Sequence, residues 1–465
     1  MILIILKILV AYFLPWLIGY LALELIDRDK KFCFGYKFFA SFLLGNGFFT
    51  LQTFALAVWG FSLSLSLFFG IIIVDLILLE ALLWFFQKRL AIPRFKVNKN
   101  LFIDLSTPQK FLLALFLILI MLKAGFSFWQ VAHSPIYEFD AWNNWSLRAK
   151  VIYTEQKIPL EAGKPFYLGG GIKSYPLNDG IWKVWLAEVL GEWNDQLVNV
   201  SSVFIYLILT GIFYFSLPKI LNFSSKIIAT YLLASLPFLY FHSWIPYADL
   251  EFTAYLFLAV STLMSFLKRE NPDRDESLPR LYLSAIALAL AIWTKNEGFA
   301  VVLPVILGLS LVFAFSKLWQ LKYWLYYWLT VAIVASPWLI FRFVNHLDIL
   351  SGDSSTFQLV SNSRFLVDWF SSVFLRGHFN FLWLFLLLLL IFKAKLIWQD
   401  LSLRNLSLVL ISLFLLYNGI ILFTDKAYDL SAMNRVNLQI SPLALLLTVL
   451  ILRRIIPSLN KDDYE

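Results

Sequence analysis

Apolar stretches long enough to cross a bilayer recur along almost the whole chain. A spanning helix needs about 20 apolar residues. Runs of that kind fall at 3–25, 38–60, 63–86, 111–131, 197–217, 226–241, 249–267, 281–293, 299–316, 323–341, 379–393, 405–423 and 437–452. Only helices or closed barrels satisfy the backbone inside lipid. The runs therefore read as an all-α polytopic membrane protein of about thirteen transmembrane helices. Charged residues make up 15% of the chain, too few to coat a soluble domain of this size. The formal charge of +8 calls for no nucleic acid, because cytoplasmic loops of membrane proteins collect Lys and Arg. Cys33 is the single cysteine, so an intramolecular disulfide and a cysteine metal cluster are excluded. The first apolar run is too long for a signal peptide and lacks a small-residue cleavage site; it reads as a retained helix.

Basic residues give the orientation. With the N-terminus outside, the inside connections carry Arg28, Lys30, Lys31 and Lys37, then Lys88, Arg89, Arg94, Lys96, Lys99 and Lys110, and later Lys219, Lys226, Lys268, Arg269, Arg274, Arg280, Lys317, Lys322, Lys393, Lys395, Arg404, Arg453 and Arg454. The short outside connections 61–62 and 242–248 have no Lys or Arg. Lys295, Lys426 and Arg435 are the exceptions. Short loops are where this bias sets topology. Two outside connections are long. Residues 132–196 are polar and rich in Trp and Tyr, with Gly169-Gly170-Gly171 as a flexible point and amphipathic surface helices at 141–155 and 180–191. Residues 344–378 contain Ser351-Gly352-Asp353-Ser354-Ser355.

Five polar clusters interrupt this pattern. The first, Tyr137 to Trp145, holds Glu138 and Asp140 beside Trp142 and Trp145, with Arg148 and Lys150 following. Carboxylates at a membrane edge suit proton abstraction from a hydroxyl or amine; the alternative is an interfacial loop with aromatic anchors. The second is Lys173-Ser174-Tyr175-Pro176-Leu177-Asn178-Asp179, a turn before a helix. The third runs from His242 through Tyr247 and Asp249 to Glu251; a helix N-terminal carboxylate is the plain role of Asp249, and with His242 it makes only two candidate metal ligands. The fourth, Lys295-Asn296-Glu297-Gly298, places both charges between two apolar runs, where charge marks a site by default. The fifth spans Asp425, Lys426 and Asp429, then Met433-Asn434-Arg435 and Gln439 to Pro442. Arg435 suits bidentate phosphate contact or interfacial snorkelling. All five fall on the outer face of a topology set by other residues. Random polar interruptions would fall inside about as often as outside.

These motifs together resemble the GT-C membrane glycosyltransferases, in the branch of the protein O-mannosyltransferases, the lipid A aminoarabinose transferases and their bacterial relatives. The likeness covers roughly residues 110–455. It divides the chain into extra N-terminal helices (1–108), a catalytic module (109–455) that includes outer loop 132–196, and a cytoplasmic tail (456–465). Glu138-Phe139-Asp140 is similar to the acidic motif of the first large outer loop, though Phe139 separates the two acids. Lys173 to Leu177 is similar to the Tyr-Pro-Pro-Leu segment, without its second proline. Tyr247-Ala248-Asp249 is similar to the second acidic site.

The resemblance implies an inverting transfer of a sugar from a polyprenyl-phosphate donor. Asp140 is then the general base and Glu138 its partner. Arg435 and Lys295 neutralise the leaving phosphate, while Asp249 and Glu297 position those cations or the sugar hydroxyls. Tyr175, Trp142 and Trp145 line the sugar and lipid approach, and Arg148, Lys173 and Tyr247 complete the substrate-binding set. The polyprenyl tail lies in an apolar groove between helices. No cofactor is required; a divalent metal stays open, because Asp140 and Asp249 share a metal only if folding joins them. The implied partners are the lipid-linked donor, an acceptor that is lipid, polysaccharide or protein, and membrane lipids. The implied location is a bacterial cytoplasmic membrane. The competing readings are a transporter or flippase, an O-antigen ligase or polymerase, and a non-catalytic assembly factor. No internal repeat of the transporter kind is visible.

Overall fold

The computed structural model describes residues 2–28, 30–87, 105–267, 277–315, 320–348, 363–424 and 430–459. These residues form eighteen α-helices. In order they are α1 (Ile2–Ile26), α2 (Phe34–Val58), α3 (Leu65–Gln87), α4 (Thr107–His133), α5 (Ser146–Glu155), α6 (Asn178–Leu190), α7 (Ser201–Ser216), α8 (Phe223–Ala234) and α9 (Pro237–Phe241). They continue with α10 (Asp249–Leu267), α11 (Leu278–Thr294), α12 (Leu303–Phe315), α13 (Leu321–Val344), α14 (Ser363–Phe370), α15 (Leu382–Phe392), α16 (Ala394–Gln399), α17 (Leu401–Leu422) and α18 (Leu430–Ile455). Among the described residues there is no strand. The protein is a multi-pass integral membrane protein.

Nine of these helices are long and apolar enough to cross a bilayer. A tenth span is counted if the pair Phe365–Phe379 and Leu382–Phe392, bent by 113°, crosses as one. Every apolar run of the sequence is helical. The expected thirteen full spans are not reached, because three runs give only short apolar helices: Phe223–Ala234, Leu278–Thr294 and Gly298–Ala314. The cause is local. Pro237 stands in the first turn of α9 and separates it from α8, as expected of a residue that cannot continue a helix. The stretch Lys295 to Glu297 divides α11 from the helical turn that leads into α12.

The centre of the bundle is α10, which is buried over most of its length and packs against α7, α11 and α18. The first two helices are tied into this centre. Gly19 and Gly45 bring their backbones together so closely that a Cβ on Gly45 would lie 1.8 Å from the Pro15 carbonyl oxygen, a small-residue contact typical of membrane helices. The α1 backbone accepts a bond from Trp185 Nε1 at Ala11 (2.9 Å), and Lys7 donates to the Leu190 carbonyl (2.6 Å). The end of the bundle that carries loop 134–200 is thus braced by α1. Helix α6 is enclosed by α1, α2 and α5 instead of lying on the surface, since Trp182 and Trp185 bury into that space.

Three prolines sit inside spanning helices, Pro15, Pro337 and Pro442, and the last two are handled the same way. Pro442 cannot bond the Leu438 carbonyl, and Ser441 Oγ donates to it instead (2.9 Å). In α13, Pro337 leaves the Ile333 carbonyl free and Ser336 Oγ takes it (2.8 Å). A hydroxyl one residue before the proline re-satisfies the backbone within lipid.

Candidate active site

The end of the bundle bearing loop 134–200 gathers charges from distant parts of the chain. Asp140 stands at the start of a π-helical turn, Ala141–Trp145, a local irregularity frequent at functional sites. Its Oδ2 accepts from Arg435 Nη1 at 2.5 Å. Arg435 lies in α18, 295 residues further along the chain, with its guanidinium 5.3 Å from the Tyr247 ring. One helical turn on, Gln439 Nε2 donates to Asp249 Oδ1 (3.0 Å). Residues i and i+4 share a helix face, so α18 presents both side chains to the same space.

Asp249 opens α10 and also accepts from Lys295 Nζ at 2.8 Å. Lys295 reaches Glu297 at 2.8 Å as well, and lies 5.9 Å from the Tyr175 ring, which packs on Trp145 at 5.0 Å. Burial opposes the charge on Lys295, but the two carboxylates outweigh it and hold the ammonium above its usual range. Lys295 therefore stays charged, with only 3% of its side chain exposed.

Several buried acceptors here have no hydrogen-bond partner among the described residues: Asp249 Oδ2, Glu297 Oε2, Gln439 Oε1 and His242 Nε2. Buried acceptors call for donors, and hydroxyl groups of a polyhydroxylated ligand are suitable ones. His242 bonds neither carboxylate; its Nδ1–H donates to the Phe238 carbonyl (2.9 Å), and burial lowers its pKa to about 4. It is a neutral imidazole. Among the described residues no three His, Cys, Asp or Glu side chains gather as a metal cluster. Asp140 and Asp249 do share this site, but each faces a different cation.

Two solved structures of ArnT from Cupriavidus metallidurans are similar to the chain. The one bound to undecaprenyl phosphate matches with a TM-score of 0.52 and 12% identity, covering 74% of this chain and 60% of that one. The apo structure matches with a TM-score of 0.55 and 12% identity, covering 76% and 61%. At this identity the likeness is one of fold. The match spans about three fifths of the ArnT chain. No protein-family model matches the sequence, and no curated protein matches it either.

Within this fold the remaining expected residues take varied places. Arg148 lies under the outer loop, 1% exposed. Its Nε donates to the Leu168 carbonyl (3.1 Å) and its Nη1 to the Pro176 carbonyl (3.4 Å). Burial lowers its pKa to about 9, which leaves it cationic at neutral pH. Arg148 thus clamps the loop that carries Tyr175. Lys173 is exposed, 5.8 Å from the Tyr167 ring. Trp142 is half exposed and meets only Phe139 edge-on. Glu138 lines a separate cleft with Tyr137, Gln196 and Trp244, beside Asp140 in the chain but not in its ion pair. The three glycines at 169–171 all have positive φ. A Cβ on Gly171 would lie 2.4 Å from Asn144 Oδ1, the atom that accepts from Ile172 N (2.9 Å). This is a closely packed turn, not a flexible point. Asp425, Lys426, Asp429 and residues 351–355 lie outside the described residues.

Sequence reading assigned no role to two groups. Below Asp249, Glu251 accepts from Asn46 and Asn178 (both 3.0 Å), and Asn178 also donates to Thr294 Oγ1 (2.9 Å) and accepts from Thr50 Oγ1. The signal was Asn46 within an otherwise apolar run, since polar groups in spanning helices are costly and placed for a reason. The other is Arg342 at the end of α13, 1% exposed. It donates to Asn296 Oδ1 (3.0 Å) and to the Asp348 carbonyl, and Asn296 in turn donates to Ser174 Oγ (3.2 Å). Arg342 thus touches the segment that carries Lys295 and Glu297 through Asn296.

Proposed function

We propose that the protein is a membrane glycosyltransferase that moves a sugar from a polyprenyl-phosphate donor to an acceptor at the outer face of a bacterial cytoplasmic membrane, with its N-terminus outside. The ion pair between Asp140 and Arg435 carries this reading. It sets a carboxylate able to take a proton against a guanidinium able to hold a phosphate, at the end of the bundle whose short connections are poor in Lys and Arg. The likeness to ArnT, a protein solved with undecaprenyl phosphate, supports the donor class.

Asp140 takes the proton of the acceptor hydroxyl or amine. The freed lone pair forms the new bond to the anomeric carbon, on the face opposite the phosphate. The bond from that carbon to the phosphate oxygen breaks, and the electron pair leaves with the polyprenyl phosphate. The configuration inverts. The leaving phosphate is a stable anion and needs no general acid; Arg435, Lys295 and Arg342 offset its charge. The orphaned oxygens of Asp249, Glu297 and Gln439 accept from sugar hydroxyls. Tyr175 and Trp145 bound the space beside Lys295.

The test is sugar release from a panel of polyprenyl-phosphate sugars by purified protein. Wild type releases sugar, and Asp140→Asn loses about 10²–10⁴ of the rate while unfolding at the same temperature. Full activity in Asp140→Asn removes Asp140 as the base. No release from any donor removes the transferase reading and favours transport.

A further inference from the structure

At the end of the bundle opposite the candidate active site, α7, α10, α17 and α18 line an open cavity whose empty volume, including the solvent at its mouth, is about 720 Å³. Leu406, Leu446 and Leu450 form an apolar part of its wall, Ser216, Ser261 and Ser265 line the α7 and α10 side, and Ser402, Asp400, Arg453 and Arg454 stand at its charged side. Asp400 is fully used. It caps α17 by accepting from the backbone N–H of Ser402 (2.9 Å) and Leu403 (3.2 Å), and it pairs with Arg454. Arg453 has no carboxylate within ion-pair distance among the described residues and is only partly exposed. Among the described lining residues, two guanidiniums and one carboxylate leave one positive charge. Cations in the last turn of a helix offset its dipole, and arginines snorkel to the interface. Those effects account for the two arginines. They do not account for an open space between four helices with a leucine wall on one side and a net cation on the other.

We propose that this cavity binds the headgroup of an anionic phospholipid. The single surplus charge matches a phosphodiester, which carries one negative charge. Arg453 and Arg454 hold its phosphate, the Ser402 hydroxyl donates a further bond, and the first methylenes of an acyl chain run along Leu406, Leu446 and Leu450. The cavity opens where α18 and α7 end, at the level of lipid headgroups, and basic pockets between spanning helices suit anionic lipids. The site lies away from Asp140 and Arg435 and does not depend on the transferase reading.

Binding of phosphatidylglycerol to the purified full chain in neutral detergent, followed by native mass spectrometry and by thermal shift, tests this. The variants are R453Q/R454Q, which removes the charge, and L450W, which fills the cavity and keeps it. Phosphatidylglycerol is expected to bind wild type, and to bind each variant roughly tenfold or more weakly. R453K/R454K should recover part of the binding, which shows that the variant chain is folded. Phosphatidylglycerol binding that is unchanged in both variants overturns the proposal. So does inorganic phosphate alone, if it stabilises wild type as much as the lipid does and L450W leaves that effect intact; the site would then be for free phosphate. Equal binding of phosphatidylcholine and phosphatidylglycerol also overturns it, because the surplus cation would play no part.

Discussion

Lys295 shows most clearly how single residues are committed here. It sits buried between Asp249 and Glu297, so removing it leaves two carboxylates without their cation. Breaking a buried pair on one side costs about 3–5 kcal/mol. Lys295→Met is therefore expected to lower the unfolding temperature sharply, and Lys295→Met with Asp249→Asn to regain part of it, with neither variant transferring sugar. Thermal unfolding in detergent measures both; a double variant no more stable than the single one would show that Asp249 is not the group left exposed. His242 adds a pH dependence. Burial holds its pKa at about 4 against the ordinary 6.5, so between those values the unfolded chain binds a proton that the folded chain does not. Stability is then full above pH 6.5 and falls as pH drops toward 4, by up to about 3 kcal/mol from this group. His242→Gln should flatten that slope in melting curves taken across this window.

Elements matter here mainly through their ends. The same α18 that delivers Arg435 and Gln439 to one end of the bundle delivers Arg453 and Arg454 to the other, and Pro442 between them is accommodated by Ser441. Loop 134–200 works as a shaped element because Arg148 and the glycines fix it. Gly171 has φ +59 and no room for a Cβ beside Asn144. Gly171→Ala should cost about 1–3 kcal/mol in local strain, loosen the turn that precedes Tyr175, and reduce sugar release while leaving the membrane helices intact. Faster proteolysis within 160–175 and an unchanged helical circular dichroism signal are the expected pair of results.

For the whole molecule, the orientation is the property most open to a direct check. Cys33 is exposed and lies between α1 and α2, at the end away from the candidate site. A membrane-impermeant maleimide should label it only in inside-out vesicles. A Cys33→Ser chain carrying Ser62→Cys, in the connection between α2 and α3, should label only from the outer side. The opposite pattern would place Asp140 and Arg435 in the cytoplasm and remove the outer-face reading. The bundle also explains why the first helices are not a detachable addition. Asn46 of α2 bonds Glu251 of α10, and α1 braces loop 134–200 through Trp185 and Lys7.

Membrane class, helical content and the places where polar residues break the apolar runs are local properties, and they were legible from spacing alone. Hydrophobic length decides what enters lipid, so each run became a helix. The gathering of Asp140, Asp249, Lys295 and Arg435 at one end of the bundle was expected from the order of apolar runs between them. What tertiary structure decided was pairing. That Asp140 meets Arg435 and not Lys295, and that Arg148 supports the loop instead of facing the site, depends on contacts between segments far apart in sequence. Glu251 and Arg342 were given no role because a buried charge declares its role only through its partners, and those partners come from other helices. The short helices α8, α11 and α12 were overcounted as full spans for a local reason: Pro237 separates α8 from α9, and the polar stretch Lys295 to Glu297 divides α11 from the turn that leads into α12.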